Sequence, residues 1–217
     1  MFVQEYITKD YPTFSLQDEI RNAFFAASEF GFTHIIVEEN GDFIGMIPRE
    51  CLVENESGSI EQLKPYLEKF ALLEETQIWD TIKLFHTFNT NIIPVISMQE
   101  KYLGYVDYTD IFHEFAGYPL FSENGAILTI QTQSLYYSFS EISQIVESNQ
   151  AKIYGCFISE INDENIHITL KISSENLSSI GETFERYGYT IIQKYYHDEK
   201  SELIKDRFAF FQKYLEI

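Results

Sequence analysis

The most chemically versatile side chains of this chain lie in one short stretch, DYTDIFHE, at residues 107–114. Its two aspartates, histidine and final glutamate follow one another at intervals that place all four on roughly one face of a helix. Carboxylate and imidazole groups on a shared face can hold a divalent metal ion, so one hypothesis is a metal or catalytic site. The four residues are Asp107, Asp110, His113 and Glu114.

The same stretch also fits the start of an ordinary helix. Asp107 precedes an apolar run and can cap the helix N-terminus, while Asp110 in the first turn complements the helix dipole. The sequence has no second cluster of metal-binding residues at a comparable spacing, and it lacks the HExxH, Walker A, GxSxG and GxGxxG motifs. A helix cap or a contact to an organic ligand is therefore favoured over a metal-dependent enzyme.

The elements around this stretch occur twice in the chain. Residues 33–52 and residues 91–112 share the order of an apolar strand, a polar turn, a second strand with a glycine, and the start of a helix. Each copy follows a segment with helical periodicity, 15–31 in the first and 75–89 in the second. The paired positions are Val37 with Val95 and Gly45 with Gly104.

Each copy therefore predicts a short strand, a helix, two strands and a final helix. We expect the first helices to begin near Ser15 and Thr76 and to end at Gly31 and Asn89, residue types that cap helices at those ends. A unit of roughly 55–60 residues buries little surface alone, so the two copies are expected to share a core.

Residues 126–196 follow a different pattern. A strand at 126–133, a helix at 138–150, two strands joined by the turn INDEN, a helix at 174–188 capped by Ser174, and a last strand give the order βαββαβ. This order is typical of a ferredoxin-like fold. The remaining segment, 197–217, predicts one more helix.

The ending of the second copy resembles that of a CBS domain, and two copies in tandem resemble a CBS pair (Bateman module). The residues that carry the resemblance are IIPV before the turn and GYVDYTDI after it, at 92–95 and 104–111. The resemblance assigns one CBS repeat to residues 1–60 and another to residues 61–120. It implies a regulatory module that binds adenosine-containing ligands, with AMP, ADP, ATP and S-adenosylmethionine as candidates and no required cofactor.

The same resemblance implies the residues of a ligand site. Asp110 takes the position that binds the ribose hydroxyls in the family, and Asp107 takes the position that faces phosphate, where a carboxylate opposes a negative charge. The first copy has Pro48 and Cys51 at these two positions, so a single site in the second copy is expected. The adenine slot implied for the second copy is lined by Phe70, Ala71, Ile93 and Pro94.

Residues 126–196 resemble an ACT domain through their topology. Where that family carries an aspartate, proline and glycine, this chain has SLYYSF at 134–139, with Tyr137 at the glycine position, which disfavours binding of an amino acid. The whole layout resembles the acetoin-utilisation (AcuB-type) CBS–ACT proteins, which implies a non-catalytic regulatory role. The predicted fold class is α+β: two βαββα repeats, a ferredoxin-like βαββαβ domain and a C-terminal helix.

Composition limits the partners. The 217 residues include 15 basic and 34 acidic side chains, and the net charge of −19 repels nucleic acids and anionic membranes. No apolar run has the roughly 20 residues of a membrane span, and the first residues do not read as a signal peptide, so a cytoplasmic protein is expected. We expect a homodimer that acts on an unidentified partner protein. The alternative is a constitutive dimeric interaction module whose ligand sites have degenerated.

Overall fold

A computed structural model describes residues 1–54 and 57–195 of the chain. It divides the chain into two compact units, with the boundary between Ala116 and Gly117. The helix predicted for residues 197–217 lies outside the described residues. None of the described helices is long and apolar enough to cross a membrane.

The first unit contains the two predicted repeats. Each repeat contains a three-stranded sheet. Its short first strand runs parallel to the middle strand, and its third strand runs antiparallel to the middle strand. The first repeat consists of β1 (Thr13–Phe14), α1 (Ile20–Phe30), β2 (His34–Glu39), β3 (Asp42–Pro48) and α2 (Arg49–Val53). The second consists of β4 (Leu72–Leu73), α3 (Ile78–Thr87), β5 (Ile92–Ile96), β6 (Tyr102–Asp107) and α4 (Tyr108–Ala116).

The strand registers of the two repeats match. Val37 of β2 pairs with Gly45 of β3, Val95 of β5 pairs with Gly104 of β6, and a register shift follows both pairs. The middle strands are buried on both faces, as their continuous apolar sequences predict. The predicted duplication of strand, helix, strand, strand and helix is confirmed.

The segment that precedes each repeat joins the sheet of the other repeat. Thr8 and Tyr105 exchange backbone hydrogen bonds of 2.9 Å in both directions, and Met46 and Glu68 exchange two of 2.8 Å. We call residues 3–8 the leader of the first repeat and residues 60–68 the leader of the second. Because each leader completes the opposite sheet, the two repeats form one intertwined body.

The predicted start of α1 near Ser15 is wrong by four residues, whereas that of α3 near Thr76 differs by one. Helix α1 begins at Ile20 because the chain before it forms a turn, in which the backbone N–H of Ser15 donates to the Asp18 carboxylate at 2.7 Å. Helix α3 begins at Ile78, after Gln77 in place of Thr76. The predicted C-terminal residues do adopt left-handed conformations, with φ of 71° at Gly31 and 45° at Asn89.

The elements of the second unit are α5 (Pro119–Ser122), β7 (Ala126–Gln133), α6 (Phe139–Ser148), β8 (Ile153–Ile161), β9 (Asn165–Ile172), α7 (Leu177–Arg186) and β10 (Thr190–Tyr195). From β7 onward they have the predicted βαββαβ order, and the sheet order β10-β7-β9-β8 is that of a ferredoxin-like fold. Helices α6 and α7 pack on one face of the antiparallel sheet and bury Ile142, Ile180 and Phe184 against it. Helix α7 begins directly after Asn176, whose backbone has a left-handed conformation. The predicted cap at Ser174 is therefore wrong.

Candidate functional site

Asp110 lies in the first turn of α4, directly after the last strand of the second repeat. The helix is anchored by Ile111 and Phe115, which are buried, whereas the Asp110 side chain is exposed. Asp107 has a different environment, because its Oδ1 accepts a 2.6 Å hydrogen bond from the backbone N–H of Thr109. Asp107 thus caps the helix N-terminus while Asp110 faces open space.

An open cavity of about 490 Å³ lies beside Asp110, between α4 of the second repeat and the leader of the first. This volume is within the range of small-molecule sites. The leader contributes one wall, and α4 contributes the other with groups at successive turns of one helix face. The lining residues are Glu5, Tyr6, Ile7, Thr8, Asp110, His113 and Glu114.

Backbone and side-chain contacts hold the leader wall in place. The N–H of Val3 donates to the carbonyl of Thr76 at 2.8 Å, and Thr8 pairs with Tyr105. The Tyr6 hydroxyl donates to Glu114 Oε2 at 2.8 Å and so links the two walls. Sequence reasoning missed this wall. Its one available signal was Gly104, where a side chain would collide with Ile7 and the carbonyl of Thr8.

The residues implied for the adenine slot lie elsewhere in the second repeat. Phe70 is 5% exposed, and its ring stacks on that of Phe88 with centroids 4.0 Å apart. Ile93 and Pro94 are buried in β5, where they pair with β6. Ala71 is half-buried. Phe70 and Ala71 directly precede β4, which pairs with the β5 strand that holds Ile93 and Pro94. None of these four residues lines the cavity beside Asp110.

The equivalent region of the first repeat carries different chemistry. Pro48 is the residue before α2, and Cys51 is half-buried within that short helix. Burial, followed by the nearby carboxylates of Glu54, Glu50 and Glu68, raises the pKa of the Cys51 thiol. The thiol is therefore neutral near pH 7, so the first repeat has no negative side chain at the position equivalent to Asp110.

Helices α1 and α2 of the first repeat border a second cavity of about 410 Å³, which is lined by four apolar residues and one arginine. Arg21 supplies its charge and lies 5.4 Å from the ring centroid of Phe25, a cation–π distance. The lining residues are Arg21, Phe24, Phe25, Leu52 and Val53.

In the second unit, the SLYYSF segment is engaged in its own local structure. Ser138 Oγ accepts a 3.3 Å hydrogen bond from the N–H of Glu141 and caps α6. The backbone N–H of Ser134 donates to the carbonyl of Glu164 at 3.1 Å. Tyr137 stands at the position of the glycine expected in an ACT domain and packs edge-on against Phe139.

The structure does not favour a metal site on α4. Within residues 1–54 and 57–195, no group of three or more histidine, cysteine, aspartate or glutamate side chains is arranged to hold a metal ion. Asp107 is occupied as a helix cap and lies outside the cavity that Asp110, His113 and Glu114 line.

Comparison with known proteins finds a family match for part of the chain. The family model for the CBS domain matches residues 3–58, which contain the first repeat and its leader. The second repeat reproduces the order of elements and the strand register of the first. Residues 3–58 therefore match the CBS-domain family, and the first unit has the fold expected for a CBS pair.

Solved structures of CBS proteins overlap with about half of the chain. A CBS domain pair/ACT domain protein from Thermotoga maritima is 21% identical, with 53% of this chain and 96% of that chain covered and a TM-score of 0.48. The CBS domains of a transcriptional regulator from Streptococcus pneumoniae are 14% identical, with coverages of 52% and 98% and a TM-score of 0.47. A CBS domain pair in complex with 5′-methylthioadenosine and S-adenosyl-L-methionine is 18% identical, with coverages of 54% and 97% and a TM-score of 0.44.

Proposed function

We propose that this protein is a non-catalytic regulatory module that binds an adenosine-containing small molecule in the cavity beside Asp110. Binding in the second repeat changes the state of an ACT-like second unit and of a dimer interface, and a partner protein responds to that change. A coupling of about 1–3 kcal/mol between two states is sufficient for such regulation.

The observation that carries this proposal is the exposed carboxylate of Asp110 on a preformed cavity next to a CBS domain. A carboxylate accepts two hydrogen bonds from the cis-diol of a ribose, and such charge-assisted bonds are strong. Asp110 is free for this contact because Asp107 performs the capping role.

The proposal predicts that Asp110→Ala weakens nucleoside binding by roughly ten- to hundredfold, the effect of losing hydrogen bonds to a charged group. Isothermal titration calorimetry with adenosine, 5′-methylthioadenosine, S-adenosylmethionine, AMP, ADP and ATP measures this effect. Asp80→Ala is the matched control. Asp80 is an exposed aspartate in the first turn of α3, the other helix of the same repeat, and it does not line the cavity. Equal binding by the wild type and Asp110→Ala would contradict the proposal that the ligand binds beside Asp110.

The second candidate function is a constitutive dimeric interaction module. The observation that favours it is a set of large apolar side chains exposed on the helices of the first unit, which is typical of an interface. They are Phe25 on α1, Val53 on α2, Trp79 and Ile82 on α3, and Phe112 on α4.

Both candidates include a homodimer formed through these helices. We expect the wild type to have a mass near twice 25.5 kDa by light scattering, and Ile82→Arg with Phe112→Arg to shift it toward the monomer. Buried arginines without partners oppose association. Met98→Arg is the control, since Met98 is 79% exposed in the turn between β5 and β6. A monomeric wild type would eliminate the dimer.

A further inference from the structure

The cavity beside Asp110 is lined by an excess of negative charge. Three of its seven lining residues are carboxylates, Glu5, Asp110 and Glu114, and the described lining contains no lysine or arginine. His113 is the one imidazole among the lining residues. A ligand in this cavity therefore experiences a negative potential.

Local contacts keep two of these carboxylates in the walls. Glu5 accepts a hydrogen bond of 3.2 Å from the backbone N–H of Phe2, and Glu114 accepts the hydroxyl of Tyr6 at 2.8 Å. Both donors are neutral, so the negative charges remain. Asp107 adds a further carboxylate at the N-terminus of α4.

We propose that the ligand of this cavity is an adenosine derivative without a 5′ phosphate, either uncharged on its 5′ side or positively charged there, as in a sulfonium. This inference rests on the proposed function, since it specifies the ligand class of the same site. A phosphate close to a fixed carboxylate weakens binding by about fivefold for each pair 4 Å apart even at the dielectric constant of water. A sulfonium gains from the same charges.

Calorimetric titration of the full-length protein with matched ligands tests the inference. We expect 5′-methylthioadenosine and S-adenosylmethionine to bind at least about tenfold more tightly than AMP and ATP. We also expect the difference to shrink as sodium chloride is raised, because salt screens repulsion at an open site.

A charge-neutralising variant tests whether Glu5 and Glu114 cause the preference for 5′-methylthioadenosine over AMP. Glu5→Gln with Glu114→Gln keeps the oxygen acceptors for Phe2 and Tyr6 but removes two negative charges. We expect the ratio of the AMP and 5′-methylthioadenosine dissociation constants to fall to within about threefold. The control removes the same charge from two exposed residues of the second unit that do not line the cavity, through Glu147→Gln and Glu182→Gln on α6 and α7, and is expected to keep the wild-type ratio.

The outcomes separate this inference from the proposed function. AMP or ATP binding as tightly as 5′-methylthioadenosine would overturn the ligand class while the nucleoside site stands. A preference that persists in the Glu5 and Glu114 variant would overturn the electrostatic explanation. Absence of binding by every nucleoside in the panel would overturn both proposals.

Discussion

His34 is a buried ionisable residue at the start of β2, with 4% of its surface exposed. Its Nδ1 lies 2.9 Å from the hydroxyl oxygen of Thr33, and its Nε2 lies 3.6 Å from Glu68 Oε2. Burial lowers the pKa of His34 from 6.5 to about 4. The Glu68 carboxylate favours the imidazolium, but it is partly exposed to water, so desolvation of the imidazole decides the direction of the shift.

The lowered pKa of His34 predicts that acid destabilises the first unit. The unfolded chain binds a proton at His34 below pH 6.5, whereas the folded protein resists protonation until about pH 4. The free energy of unfolding should therefore fall as pH decreases through this window, by up to about 1.4 kcal/mol per pH unit. Urea unfolding between pH 5 and pH 7 measures the slope.

Replacement of His34 by glutamine should remove this contribution to the slope, even if it also lowers stability at pH 7. His86→Gln is the matched control, because His86 lies on the exposed surface of α3. Identical slopes for the wild type and His34→Gln would show that His34 does not govern the response to acid.

Gly104 shows how an element of one repeat depends on the other. Its φ of 143° is unfavourable for residues with a side chain, and a Cβ would collide with Ile7 and the carbonyl of Thr8 in the leader. Gly45 has the corresponding close approach to Leu67 and Glu68 of the second leader. The two glycines allow the leaders to join the sheets, and at Gly104 the adjoining leader is the cavity wall.

We predict that Gly104→Ala lowers the free energy of unfolding by about 2–4 kcal/mol, from an unfavourable backbone conformation and the collision with the leader. It should also weaken ligand binding, because the displaced leader carries Glu5 to Thr8. Gly41→Ala is the control, since Gly41 has a positive φ of 84° but open space around the added Cβ. Equal destabilisation by both variants would assign the effect to backbone conformation alone.

The sequence predicted the parts of the fold that depend on local pattern. The equivalence of Val37 with Val95 and of Gly45 with Gly104 followed from the internal repeat, and the matching strand registers agree with it. The end of α1 at Gly31 followed from the conformational freedom of glycine. The start of α1 was missed because the turn at Ser15 competes with helix formation.

The cavity wall was missed for another reason. Its residues precede the first repeat but contact the second, and no local periodicity reports a contact between segments so distant in the chain. Sequence reasoning therefore placed Asp110 on α4 and could not supply Glu5 to Thr8 opposite it.

At the scale of the whole molecule, charge is the dominant feature. With 34 acidic and 15 basic side chains, at least 19 carboxylates (34 − 15) cannot each have a basic partner of their own. The ion pairs of Lys64 with Glu61 and Lys101 with Asp42 are both well exposed, so they contribute little to stability. The folded chain is thus subject to self-repulsion.

This repulsion predicts that salt stabilises the protein. Raising sodium chloride from low to physiological concentration should increase the free energy of unfolding by about 1 kcal/mol, which corresponds to a Tm increase of roughly 2–4 °C. Differential scanning calorimetry at matched pH measures the shift. A Tm that falls with salt would indicate that attractive ion pairs outweigh repulsion.

The crossing of the leaders also has a consequence for biosynthesis. Residues 3–8 leave the ribosome about a hundred residues before their hydrogen-bonding partner Tyr105. The growing chain must therefore keep the apolar residues of this leader, including Val3, away from wrong partners until nearly the whole first unit has been translated. The sheet of the first repeat can close once Glu68 is available, whereas the sheet of the second repeat and the cavity beside Asp110 form only after Tyr105 and α4 have emerged.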